Sequence, residues 1–368
     1  MGFEQRSEVK LGELAGMRLA GQLISTHRFA DPAEVVHWMG AVQAQDYPAS
    51  LWAMGLRMRT SSDRLIEQAI AERTIVRTWP MRGTLHFVSP RDVRWMLRYL
   101  TPKKVTGASA RFRQLHLDLA TFARSGRIIA KELDGGKRRT REGLYALLEK
   151  NRISCAGQRG IHILWRLSQE QLICFGPREG KQPTFVLLDE WIRPGKVPDR
   201  EDALAELALR YFKSHGPATI RDFVWWSGLT TKEAREGLEA SSGKLASERI
   251  DGELYWMSGT ITSKSARGSE GLLLPAFDEF LVAYADRSFA VASRHARRLG
   301  FGGGIMTPTV LHNGQIIGTW KRSFKNDTAL IHVHVFTGLT RSQRSAVEEA
   351  ADRYGRFVGK AVDTRIVR

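Results

Sequence analysis

Two glutamines one residue apart, in Gln43-Ala44-Gln45-Asp46-Tyr47-Pro48, form the first constellation that chemistry can use. They fall at the end of an apolar helical stretch. On a helix residues two apart diverge, so both amides converge on one small object only if the helix is ending or the groove is narrow. A polar helix C-terminus with two exposed glutamines is the plain alternative. Asp278 and Glu279 are adjacent carboxylates near Arg287. They could act as an acid/base pair, but neighbours on a strand point apart, so a structural Asp278–Arg287 ion pair is expected. His332 and His334 share a strand face, as metal ligands do, yet no third ligand is evident and no metal site is expected. The two cysteines, Cys155 and Cys174, make neither a CxxC nor a zinc spacing and suit a reducing cytoplasm. Gly300, Gly302, Gly303 and Gly304 lack the Lys-Ser/Thr of a phosphate loop and read as a flexible turn.

The chain that must position these residues has 368 residues, enough for two or three domains. It is 42% hydrophobic with 10 Trp, so it can bury real cores. Lysine and arginine number 56 against 39 acidic residues, a net charge of +17 that points to a polyanion, nucleic acid before anionic membrane. No apolar run approaches the ~20 residues of a membrane span. Met1 to Met17 mixes charges without an apolar core and does not read as a secretory signal.

One pattern recurs three times: helix, helix, two-stranded hairpin. The first copy has helices near Pro32–Gln45 and Asp63–Glu72, then strands Thr74–Trp79 and Thr84–Val88 around a Pro80–Gly83 turn. The second has helices from Thr140 to Glu149 and Gly160 to Gln169, then Leu172–Phe175 and Thr184–Leu188 around a long basic tip. The third has a helix Glu201–Ser214, a short helix ending at Gly228, a capping box at Thr230, and strands around the tight turn Asp251-Gly252. Helix–turn–helix plus hairpin is a winged helix. Trp225, Trp226 and Phe223 are expected as core of the third copy. Beyond Gly259 the texture turns strand-like, with a hairpin turn at Asn313-Gly314 and a closing amphipathic helix Arg341–Val358. The expected fold is therefore α+β: three tandem winged helices and a C-terminal β-barrel-like domain. The expected divisions are 1–100, with the Gln-Ala-Gln motif; 101–198, a basic helical segment and the second unit; 199–260; and 261–368.

Positive charge concentrates between Thr101 and Thr140, with ten Lys/Arg against three Asp/Glu. Lys103, Lys104, Arg111 and Arg113 begin that run, which tracks a phosphate backbone or is a solvated linker face. Further clusters are Arg294, Arg297 and Arg298, and Lys321, Arg322 and Lys325 on a hairpin that either enters a groove or guards a sheet edge. Arg82 and His86 lie on the first hairpin. Arg82 is expected to face DNA; His86 is either a phosphate donor or a packed strand histidine. With Arg57 these residues complete the candidate DNA contacts.

Val42-Gln-Ala-Gln45 with Pro48, Arg77-Thr-Trp-Pro-Met-Arg-Gly-Thr-Leu-His86 and Leu273-Leu-Pro-Ala-Phe-Asp-Glu-Phe-Leu-Val-Ala-Tyr-Ala-Asp-Arg287 together resemble the AlkZ-like family of winged-helix DNA glycosylases, from about Leu19 to Phe357. The resemblance implies winged helices around a concave basic surface, and excision of alkylated bases from double-stranded DNA. It places catalysis on Gln43 and Gln45; relatives carrying Gln then Asp there differ, so the chain resembles the Gln/Gln branch, associated with self-resistance to alkylating and crosslinking natural products. The chemistry needs no strong base. A purine alkylated at N7 or N3 is cationic and leaves neutral, through an oxocarbenium-like state at the sugar. Two amides can hold the attacking water. No lysine nucleophile is called for, so lyase activity is not expected. Asp46 fits a capping role better than a catalytic one. The expectation is a monomeric, cytoplasmic, cofactor-free enzyme. A non-catalytic winged-helix DNA-binding protein or regulator is the alternative, though no zipper heptads suggest the dimer that paired half-sites need. RNA binding stays open.

Overall fold

A computed structural model describes residues 11–259, 271–299 and 306–368, so the expected glycine turn at 300–304 lies outside the described residues. The chain is mixed α and β and divides into two compact units: one joins the segment up to Ile66 with Leu204–Arg368, and the other is Glu67–Ala203.

In the unit Glu67–Ala203 strands lie in the order Thr84–Val88, Val76–Met81, Ile173–Glu179, Gln182–Leu187 and Arg139–Thr140, all antiparallel. The turn between the first two uses Arg82 at φ 55° and Gly83 at φ 79°, the pair of positive angles that matches the twist of a hairpin. Pro80 sits inside its strand, where the register shifts between Thr78 and Met81 and no ladder donor is required of it. The second hairpin turns at Gly180–Lys181, much shorter than the long tip expected from its Gly/Pro content. Helices Arg141–Lys150 and Arg159–Gln169 precede it, as expected. Helix Leu119–Leu133 starts where Asp118 accepts from Thr121 N–H. It buries Phe122, Ser125, Gly126, Ile129 and Leu133, a stripe at helical spacing, and leaves Arg124, Arg127 and Lys131 exposed. The stripe joins Phe112, Leu148, Ile163, Leu167, Phe175 and Phe185 in one core.

The other unit holds a sheet in the order Ala361–Val367, Thr328–Val335, Gln315–Lys325, Thr309–His312 and Gly271–Leu274, with only the first pair parallel. Among the described residues this sheet is open, which corrects the expected barrel. Helix Arg341–Val358, opened by a Thr340/Gln343 capping box, is not the closing element either. Gly359 takes the left-handed conformation at φ 66°, and the chain returns as the edge strand Ala361–Val367. The helix lays Tyr354 and Phe357 on Trp52, with ring centroids 5.1 and 5.0 Å away. At Gly55 a Cβ would stand 2.6 Å from the Phe357 ring, so only glycine permits that approach.

The third helix–helix–hairpin run forms as its signals dictate. Helix Ile220–Ser227 has a Thr219/Asp222 capping box and stops at Gly228, φ 73°. Thr230 and Glu233 cap Thr231–Ser241, and Asp251-Gly252 turns the hairpin Ala246–Ile250 to Glu253–Met257. Phe223 and Trp226 are fully buried, but Trp225 is 49% exposed, so only two of the three aromatics are core.

Candidate functional site

The glutamine pair does not end a helix. Helix Pro32–Met39, capped by Asp31, stops at Gly40, whose φ of 76° breaks the helical run. Val42–Gln43 is a short strand, and Asp46 is again extended, its carboxylate accepting Ala49 N–H at 3.1 Å to start helix Tyr47–Gly55. Gln43 therefore ends a short strand and Gln45 lies in the bend that follows it, both within the link between two helices. Ala44, between them, is fully buried. Gln43 is 8% exposed and Gln45 is exposed. Asp46 is a cap, as its type and position suggested.

A buried polar network anchors this link. Gln43 N–H donates to Glu279 Oε1 at 2.7 Å, and Trp226 Nε1–H donates to Glu279 Oε2 at 3.0 Å. His215 Nε2 lies 3.7 Å from the same Oε2. Burial lowers the His215 pKa, which Glu279 opposes and the Arg57 charge reinforces. Glu279 itself is fully buried. Its neighbour Asp278 caps helix Glu279–Val282 by accepting Phe280 N–H, and turns to Arg57. Arg57 Nη1 and Nη2 donate to Asp278 Oδ2 and Oδ1 at 2.9 and 2.8 Å, a fork-to-fork pair with both side chains wholly buried. Arg57 also donates to Ala53 O and Gln22 Oε1. Burial works to lower its pKa, but Asp278 overrides that and the value is raised. Gln22 Nε2 donates to the Tyr284 hydroxyl, which donates to His215 O.

These contacts correct two expectations. Asp278 pairs with Arg57 rather than Arg287, whose Nε donates to Leu281 O while its guanidinium lies 5.3 Å from the Trp225 ring centroid. Arg57, being enclosed, is a structural cation and no DNA contact. His86 is likewise fully buried: Arg82 Nη2 donates to its Nε2 at 3.2 Å, and its Nδ1 donates to Thr84 O at 3.0 Å. It is the packed strand histidine, not a phosphate donor. Arg82 itself is half-buried at its turn.

Lys103, Lys104, Arg111 and Arg113 are exposed on helices Pro102–Gly107 and Ser109–Gln114. Lys321 is exposed on the strand Gln315–Lys325, while Arg322 is half-buried, 5.7 Å from the Tyr354 ring centroid. His332 and His334 are exposed on the neighbouring strand, and among the described residues no cluster of three metal-ligand side chains forms. Sequence reasoning missed Glu279 as the anchor of Gln43. The available signal was an aspartate placed just before a short apolar run, which marks a helix start and would have turned the two carboxylates apart.

The DNA glycosylase AlkZ-like family model matches residues 36–357. A protein of Streptomyces sahachiroi, described as an interstrand DNA cross-link repair glycosylase, is 22% identical over 370 residues, spanning 93% of this chain and 95% of that protein. The solved structure of the Streptomyces sahachiroi DNA glycosylase AlkZ superposes with a TM-score of 0.80 at 21% identity, covering 98% of this chain and all of that one. With the family model spanning most of its length, from the helix before the glutamine pair to the last helix, this chain belongs to the AlkZ-like DNA glycosylase family.

Proposed function

We propose that the protein is a monofunctional glycosylase that hydrolyses the N-glycosidic bond of cationic alkylated purines in double-stranded DNA. Gln43 and Gln45 orient the attacking water. The observation that carries this reading is the link between the two helices: Gln45 is exposed in a bend two residues after Gln43, whose backbone is fixed by a buried carboxylate. A water held by two amides is a weak nucleophile, sufficient only where the leaving group is already activated. A purine with a positive ring departs neutral, so the lesion supplies the activation and unmodified purines survive. The two nearest carboxylates do not act as the base: Asp46 caps a helix, and Glu279 is buried under two N–H donors. No amine nucleophile takes part, so the strand stays intact. The helix–helix–hairpin runs serve as winged helices on the duplex, and the exposed cations of 101–140, with Arg82, Lys321 and Arg322, meet phosphates. The protein acts as a cytoplasmic monomer. Crosslinks joined through purine N7 atoms carry the same cationic leaving group and belong to the substrate class, as the name of the Streptomyces relative suggests.

The test is incubation with duplexes carrying N7-methylguanine, N3-methyladenine or an N7-linked crosslink. Release of the alkylated base, leaving an intact strand with an abasic site, is the expected result. Binding without release from any of the three would make the protein a non-catalytic DNA binder.

A further inference from the structure

We infer that a cleft in the unit Glu67–Ala203 is a binding site for an unpaired nucleotide, with the base against Trp165 and the phosphate on Lys103 and Lys104. The cleft measures about 560 Å3, within the range of small-molecule sites. It opens between helix Pro102–Gly107, helix Arg159–Gln169 and the turn of the first hairpin. Trp79, Ile161 and Trp165 supply an apolar, aromatic wall. Both charged side chains among the described lining residues are lysines, so the rim favours an anion.

Two further features suit a planar guest. Gly83 and Gly107 also line the cleft, and an added Cβ at either would meet no atom within 4 Å, so no side chain crowds those parts of its lining. Trp165 packs at 6.0 Å, centroid to centroid, from Phe112 in the unit's core, which holds its indole in place before any ligand arrives. An aromatic face beside fixed positive charge is how proteins hold single-stranded nucleic acid, because every base offers a π-face and every nucleotide a phosphate. The occupant is thus an unstacked nucleotide of the DNA on which the protein works. The inference rests on the reading of the chain as a DNA-acting enzyme.

The experiment compares the affinity of the full chain for a short single-stranded oligothymidylate and for its abasic tetrahydrofuran analogue, which has the same phosphates and no bases. The wild-type protein is expected to prefer the oligothymidylate by about tenfold. Trp165→Leu, which keeps apolar bulk against Phe112, should bring that preference within about twofold. Lys104→Glu should weaken both oligomers alike and keep the preference. Trp225→Ala, which removes the exposed tryptophan of the other unit, should also keep it. Equal wild-type affinities, or a preference that survives Trp165→Leu, would overturn the site. Base release from N7-methylguanine duplex is measured alongside. Release without a base preference sinks the cleft alone, whereas a base preference without release sinks the glycosylase reading and leaves the cleft standing.

Discussion

Glu279 shows how one side chain can fix a site without entering it. Its two oxygens are committed to two different N–H donors, one on the backbone of Gln43 and one on the indole of Trp226. An amide in its place has a single acceptor oxygen and turns an N–H group toward one of those donors. Glu279→Gln should therefore cost about 1–3 kcal/mol in chemical denaturation, the penalty of a buried donor left unmet. It should also slow base release more than it weakens duplex binding, since the Gln43 backbone is what it holds. Unchanged stability and unchanged release would show that the network does not carry the glutamine link. Sequence inspection found the glutamines and the carboxylates but not their connection, because position 43 and position 279 lie 236 residues apart. Nothing local announces such a bond.

Elements whose signals are local form as the chain dictates. Capping boxes at Thr219, Thr230 and Thr340 open helices, and Asp-Gly and Asn-Gly turns close hairpins. What escaped was set by distant partners. Arg57 reads as one more cation in a basic chain, yet Asp278, 221 residues away, takes both of its Nη groups into the interior. The edge strand Ala361–Val367 alternates exposed and half-buried residues, but its parallel pairing with Thr328–Val335 reaches back across the intervening helix, and no local signal announces it. Gly40 breaks the early apolar helix sooner than its apolar content suggested and leaves the glutamine pair in a short strand and the bend after it. The buried pair yields its own prediction. Arg57→Met strands the Asp278 carboxylate and should destabilise the protein by about 3–5 kcal/mol. The slope of log affinity for undamaged duplex against log salt should not change. A slope reduced by about one would instead restore Arg57 as a phosphate contact.

For the whole molecule, protonation links this buried network to stability. His215 is enclosed between Ser214, Glu279, Tyr211 and Trp226, and its folded pKa lies below the ordinary histidine value. The unfolded chain therefore binds a proton that the folded one refuses. The stability of neutral His215 is complete above about pH 6.5 and declines as pH falls from there toward the lower folded value. The denaturation midpoint should fall between pH 7.5 and 5, and His215→Gln should flatten that part of the profile; an unaltered profile in the variant would remove His215 as the cause. The long-range electrostatics act differently. In the proposed function the exposed lysines and arginines of 101–140 are assigned affinity for any duplex, and the glutamine link is assigned what happens to a damaged one. The most direct measurement separates the two: single-turnover release of N7-methylguanine by Gln45→Ala, with duplex affinity determined in parallel. Loss of water positioning predicts release slowed by about a hundredfold or more, with affinity within about twofold of the wild type, as expected where phosphate contacts dominate binding. Release at the wild-type rate would contradict a catalytic role for the amide pair.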